Sequence, residues 1–148
     1  MKKIILFIFC LVLAVNLQAN NAEKNDPISK KKRVLIFTKN GLTLNGEKGY
    51  VHENITNSIK ALKEICEAEN IDFDNSEDAS LFNKVTLSKY DAIIFSSSNN
   101  EVFDNENQKV AFQNYIKGGG GFIGIHSANA VERDWPWYWA LVGGKFIR

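Results

Sequence analysis

The sequence is poor in cysteine, in histidine and in net charge, and each shortage narrows what the chain can do. It carries two cysteines and two histidines, with 18 basic residues against 17 acidic ones in a chain of 148. Cys10 falls within an amino-terminal segment that reads as a removable signal, which leaves Cys66 alone. A single cysteine forms no disulfide within its chain and supplies neither a zinc cluster nor a redox pair. Cys66 lies on the apolar side of a predicted helix, as a small buried hydrophobe would. Removing the signal takes Lys2 and Lys3 with it, so the formal charge passes from +1 to −1 and no basic field remains for nucleic acid. Phosphate-binding loops are missing as well. Gly41, Gly46 and Gly49 compose neither G-x-G-x-x-G nor G-x-x-x-x-G-K-[ST], which removes the warrant for a dinucleotide or a P-loop. No G-x-S-x-G elbow surrounds Ser127, so acyl-enzyme chemistry is disfavoured.

What is present begins with "MKKIILFIFCLVLAVNLQAN". Two lysines precede an apolar run from Ile4 to Val15, and Leu17-Gln18-Ala19 offers a small residue for cleavage, so residues 1–19 read as a signal peptide. The run is short for a membrane span, and Cys10 lacks the small-residue surroundings of a lipid-attachment site. The expectation is export to the periplasm or the cell exterior without a stable membrane anchor. Residues 20–32, "NNAEKNDPISKKK", are polar and aperiodic and suit a flexible leader. The remainder, residues 33–148, is long enough for one domain, and the 45% hydrophobic and 24% charged residues of the whole sequence are the composition of a globular protein.

From Arg33 the chain alternates between two patterns. "RVLIFTK" (33–39), "IDFDN" (71–75), "YDAIIFSSS" (90–98) and "GFIGIHS" (121–127) read as strands, mostly as continuous apolar runs. Residues 52–70 place Ile55, Ile59, Leu62, Ile65 and Cys66 at helical spacing; a weak helix is expected around Ala79–Leu87. A further helix follows Asp104 or Asn105 as cap, with Phe112, Tyr115 and Ile116 on one face and Gly118–Gly121 ending it. Continuous strands separated by helices imply a mostly parallel sheet covered on both faces: an α/β fold of three α/β/α layers with right-handed crossovers.

Ligands bind such sheets beyond the carboxyl ends of the strands. That rule selects the loop 40–54 with His52, the loop 96–107 with Asn99 and Asn100, and the turn His126-Ser127-Ala128-Asn129. Either histidine alone fits a helix cap or a strand-end hydrogen bond. Together, at one end of one sheet, they make a candidate acid–base pair, since imidazole both takes and gives a proton near neutral pH. Two histidines fall short of a metal site without a third ligand, which nothing in the sequence fixes, and no cofactor is assigned. In "ERDWPWYWALVGG" the indoles of Trp135, Trp137 and Trp139 fit sugar-ring faces or core packing, with Arg133 and Asp134 placed to orient hydroxyls.

These segments carry a resemblance. "VLIFTKN", "GYVHENI", "IDFDNSEDASLF", "YDAIIFSSS", "QKVAFQNYIKGGGGFIGIHSA" and "DWPWYWALVGGKF" resemble the trehalose-utilisation (ThuA-like) family from about residue 33 onward. The resemblance implies a class I glutamine amidotransferase-like fold, flavodoxin-like in arrangement, with a histidine where the amidotransferases keep their cysteine. His126 matches the family's "GIH", His52 its histidine after the first strand, and Asp134, Trp135 and Tyr138 its pocket-side segment. It implies a small-molecule sugar as partner, a disaccharide or a keto-sugar. The segment from Lys39 to His52 is longer than the family's, and the family domain runs well past "GGKFIR". A chain of this extent is therefore expected to be an incomplete portion of the domain, its open sheet edge covered by a dimer contact or by further sequence. The leading expectation is an exported domain that binds or transforms carbohydrate. His126 and His52 would be its acid–base pair, and Asn99, Asn100, Ser127, Asp134, Trp135 and Tyr138 its substrate contacts. The alternative is a non-catalytic carbohydrate-binding or structural module.

Overall fold

The computed structural model describes residues 30–147; the signal reading and nearly all of the leader lie outside them. Four parallel strands form one sheet: β1 (Arg33–Phe37), β2 (Asp72–Ser76), β3 (Ala92–Ser96) and β4 (Gly121–Ile125), in the order β2-β1-β3-β4. Their apolar runs explain the pairing. Leu35 stands opposite Ile93 and Ile36 opposite Ile94, so each pleat delivers large aliphatic side chains to both faces. Strand order reverses between β1 and β3, and this is the flavodoxin-like arrangement the sequence implied.

On one face lies helix α1 (Ile55–Ala68). Its stripe of Leu62 and Cys66 meets Val34, Ile36 and Ile94. Ile65, expected to share that stripe, is 58% exposed, because one residue's step of about 100° from Cys66 turns it off the face. The other face is covered by α2 (Lys84–Leu87), α3 (Glu106–Lys117) and α4 (Pro136–Val142). There Leu35, Phe37, Ile93 and Phe95 pack against Phe82, Leu87, Phe112 and Tyr138. The three layers are therefore unequal, and α1 leaves β4 partly bare: Ile123, paired with Ile94 on the α1 face, is 49% exposed.

Local chemistry sets the boundaries. The weak helix expected at residues 79–87 is two pieces, a 3₁₀ turn at Ala79–Leu81 and α2. Asp78 caps the first by accepting the Ser80 N–H at 2.8 Å, and the extended Asn83 breaks the run and caps the second through the Thr86 N–H. Asn105 caps α3, accepting from Gln108 N. After α3, Gly119 takes φ +95°, and a side chain on Gly120 would enter the Tyr115 ring, so the glycine run is a turn into β4. Helix α4 was not anticipated. Pro136 at its first turn and Gly143 at φ +85° after its end are the ordinary start and stop signals.

Candidate functional site

The segments leaving the carboxyl ends of β1, β3 and β4 meet at the point where strand order reverses. His52 lies on the first, just ahead of α1, and its carbonyl accepts the Ile55 N–H. His126 is the first residue after β4 and opens a 3₁₀ turn, His126–Ala130. Its φ of +58° is a left-handed conformation that a non-glycine residue adopts at a cost of about 1–3 kcal/mol. That turn aims the imidazole back at His52. The two rings meet edge to face with centroids 4.4 Å apart, and His126 Nε2 is 3.2 Å from His52 Nδ1. One of these nitrogens carries the proton that the other accepts. The Tyr50 ring closes on the far side of His52 at 4.9 Å.

The histidine pair opens into a pocket of about 300 Å³. Tyr50 and Phe146 give it aromatic walls, while Asn99, Asn129 and Arg133 give it polar ones. Arg133 is held from several directions: Nε donates to Ala130 O at 3.1 Å, Nη2 to Asn99 Oδ1 at 3.1 Å, and the guanidinium lies 5.4 Å from the Phe146 ring. Asn99 also donates to Tyr50 O at 3.5 Å, so one amide ties the β1, β3 and β4 loops together. Burial, and then the neighbouring His126, push His52 below the usual histidine range, which leaves it a neutral imidazole at pH 7. Among the described residues no group of three or more histidine, cysteine, aspartate or glutamate side chains is disposed to hold a metal, and no helix is long and apolar enough to cross a membrane.

Of the residues singled out from the sequence, His52, His126, Asn99, Ser127 and Arg133 come together at this pocket. Ser127 is buried, and its hydroxyl donates to Ser98 O at 2.9 Å, which makes it a fastener of the turn. Asn100 is 2% exposed and does not line the pocket; it packs against Gly49, where a Cβ would stand 1.8 Å from its Nδ2. Asp134 is exposed and borders a neighbouring cavity of about 380 Å³ with Leu44, Lys145 and Ile147. Trp135 packs edge-on to Phe103 and parallel to Tyr138. Tyr138 belongs to the core and not to the pocket side: it is fully buried, and its hydroxyl donates to Ala128 O at 2.7 Å. The reason is α4, whose helical turn carries this ring inward. Tyr50, Asn129 and Phe146 are wall residues to which the sequence reading gave no role; Tyr50 and Asn129 lie inside segments it selected, and Phe146 does not.

The same loops hold a second cluster. Glu132, at φ +50°, is fully buried and accepts the N–H groups of Val102 and Phe103 at 2.9 and 3.0 Å. Four of the five non-glycine residues with positive φ among those described, Ser97, Asn100, His126 and Glu132, lie in these two loops. Such clustering accompanies functional sites.

Comparison with known proteins agrees with this fold. The ThuA family model, described as trehalose utilisation, matches residues 33–148. Among solved structures, a ThuA-like protein from Bacteroides uniformis superposes with a TM-score of 0.59 at 20% identity, over 82% of this chain and 48% of its own. The chain thus spans about half the length of that protein. No curated protein matches it. A β2-β1-β3-β4 parallel sheet, a histidine at the β4 elbow and a family match over residues 33–148 place the chain in the ThuA family, whose description is a carbohydrate function.

Proposed function

We propose that this domain binds a sugar in the histidine pocket and moves a proton on it, with His126 and His52 as the acid–base pair. The observation that carries the reading is the 3.2 Å approach of the two imidazoles at the wall of a pocket that mixes aromatic, amide and guanidinium surface. Rings of Tyr50 and Phe146 suit the apolar face of a sugar, and Arg133 with Asn129 suits its oxygens. His126 takes a proton from a sugar hydroxyl or from the carbon beside a keto group as its own passes to His52, neutral at pH 7, and the reverse transfer returns a proton to the substrate. The substrate class we favour is a disaccharide or its keto derivative, on the strength of the family's description. Export belongs to the same proposal and rests on the composition of residues 1–19 alone.

A non-catalytic sugar-binding module is the second reading, favoured by the exposure of His126. Trehalose and its keto derivative, followed by calorimetry and by product analysis, separate the two. The catalytic reading expects His126→Gln to keep binding within a few-fold and to lose turnover by about 10²–10⁴-fold. Turnover that survives the substitution removes His126 from the chemistry, and sugar binding with no turnover in the wild type leaves the binding module.

A further inference from the structure

The end of β3 runs into three consecutive serines, Ser96, Ser97 and Ser98, each fully buried. Hydroxyls shut away from water need partners within the chain, and all three have them. Ser96 Oγ lies 2.5 Å from Ser58 Oγ on α1, and the Ser98 hydroxyl donates to Phe37 O at the end of β1 at 3.0 Å. Ser98 O in turn accepts the Ser127 hydroxyl from the turn after β4. The first and last of the three thus lace α1, β1 and β4 to β3.

Between them, Ser97 reaches both histidine-bearing segments with its two donors. Its N–H donates to Ile125 O at 3.2 Å, one residue before His126, and its hydroxyl donates to Asn54 Oδ1 at 3.1 Å, two residues after His52. Each partner sets aside a local preference for this contact. Ser97 takes a φ of +56°, a left-handed conformation that a serine keeps only where its surroundings hold it. Asn54 starts α1, where asparagine ordinarily accepts an N–H of its own first turn; its side chain makes no such bond and turns to Ser97. The other tie from the β3 loop near His52, from Asn99 to Tyr50 O, is longer at 3.5 Å.

We propose that Ser97 is a positioning residue for the histidine pair: its hydroxyl fixes the His52 segment through Asn54, its N–H fixes the His126 turn through Ile125, and one residue so sets the approach of the two imidazoles. The inference deepens the proposed function and rests on it for the use of the pair. Ring placement itself is read without a sugar, so either can fail while the other stands.

The test is NMR of the histidine rings on the full chain, in the wild type, Ser97→Gly, Asn54→Ala and the double variant. Glycine accepts a φ of +56° and keeps the N–H, so Ser97→Gly removes the donor hydroxyl without disturbing the backbone. Asn54 is exposed and has no side-chain capping bond to lose, so Asn54→Ala removes the acceptor. Cross-peaks between the ring protons of His52 and His126 are expected in the wild type, to weaken several-fold in each single variant and to weaken no further in the double. The titration midpoint of His52, held low by burial and then by His126, is expected to rise toward the ordinary value of about 6.5 in the same variants, with Tyr50 and Arg133 around it unchanged. A hydroxyl that serves stability alone would lower the melting temperature and leave the cross-peaks at wild-type strength. That result, cross-peaks missing from the wild type, or weakening that adds up in the double variant overturns the proposal, and Asn54→Ala decides it even if Ser97→Gly does not fold.

Discussion

Two like pairs occupy the same end of the sheet, and their surroundings give them opposite uses. The carboxyls of Glu101 and Glu132 are answered by three backbone N–H groups and by Lys109, so their mutual repulsion is absorbed into structure. The imidazoles of His52 and His126 have each other at 3.2 Å and a pocket in front. Burial, and then the neighbouring ring, keep His52 neutral there. Counter-charge decides which pair holds the fold together and which remains free to exchange protons with a ligand.

The comparison breaks most visibly at Glu132. Glu132→Ala strips two amides and an ammonium of their acceptor in a buried place, and a loss of about 3–5 kcal/mol is expected in urea unfolding. His126→Gln under the same assay stays within about 1 kcal/mol of the wild type, since it opens to solvent. Equal losses at the two positions would mean that the histidine pair is structural too.

Acid and base then separate the pairs by sign. Glu101 is raised, so its contribution to stability is fully present below the ordinary carboxylate range and is lost as pH rises through about 7. His52 is lowered, so its contribution is present above the usual histidine range and is lost as pH falls through its depressed value. The two slopes oppose each other in the wild type. Melting curves of His52→Gln should therefore retain more stability on acidification than those of the wild type, and parallel curves would remove burial of the imidazole as the cause. The smallest expected effect is at the elbow itself. Asparagine tolerates the left-handed φ of +58° better than histidine, so His126→Asn should gain about 0.5 kcal/mol, read as a rise in midpoint. A fall instead would show that ring contacts outweigh backbone strain.

The layered fold was legible because its signals are local. Val34 to Phe37 and Ala92 to Phe95 are continuous apolar runs, and a run buried on both faces needs no knowledge of its partner to be recognised. The histidines were legible through topology, since both follow strands whose carboxyl ends must share one edge. Tyr138 was misplaced because an aromatic in a tryptophan-rich segment looks the same from sequence whether it faces a sugar or Phe95. The cross-links that Glu101 and Glu132 make between the β3 and β4 loops had no local signal at all. They join positions far apart in the chain through a positive φ at Glu132, and only the folded loops create that proximity.

The unequal covering of the sheet has a further consequence in time. The face under α3 and α4 is locked by a mesh of phenylalanine and tyrosine rings, whereas the opposite face rests on one helix and a handful of aliphatic side chains. Cys66 lies within that thinner layer, 4% exposed, its thiol pushed up by burial and by Glu67 and so kept from reacting. For a labelling reagent to reach it, α1 must lift. Cys66, the one cysteine among the described residues, is thus a built-in clock, whose modification rate counts the openings of that layer.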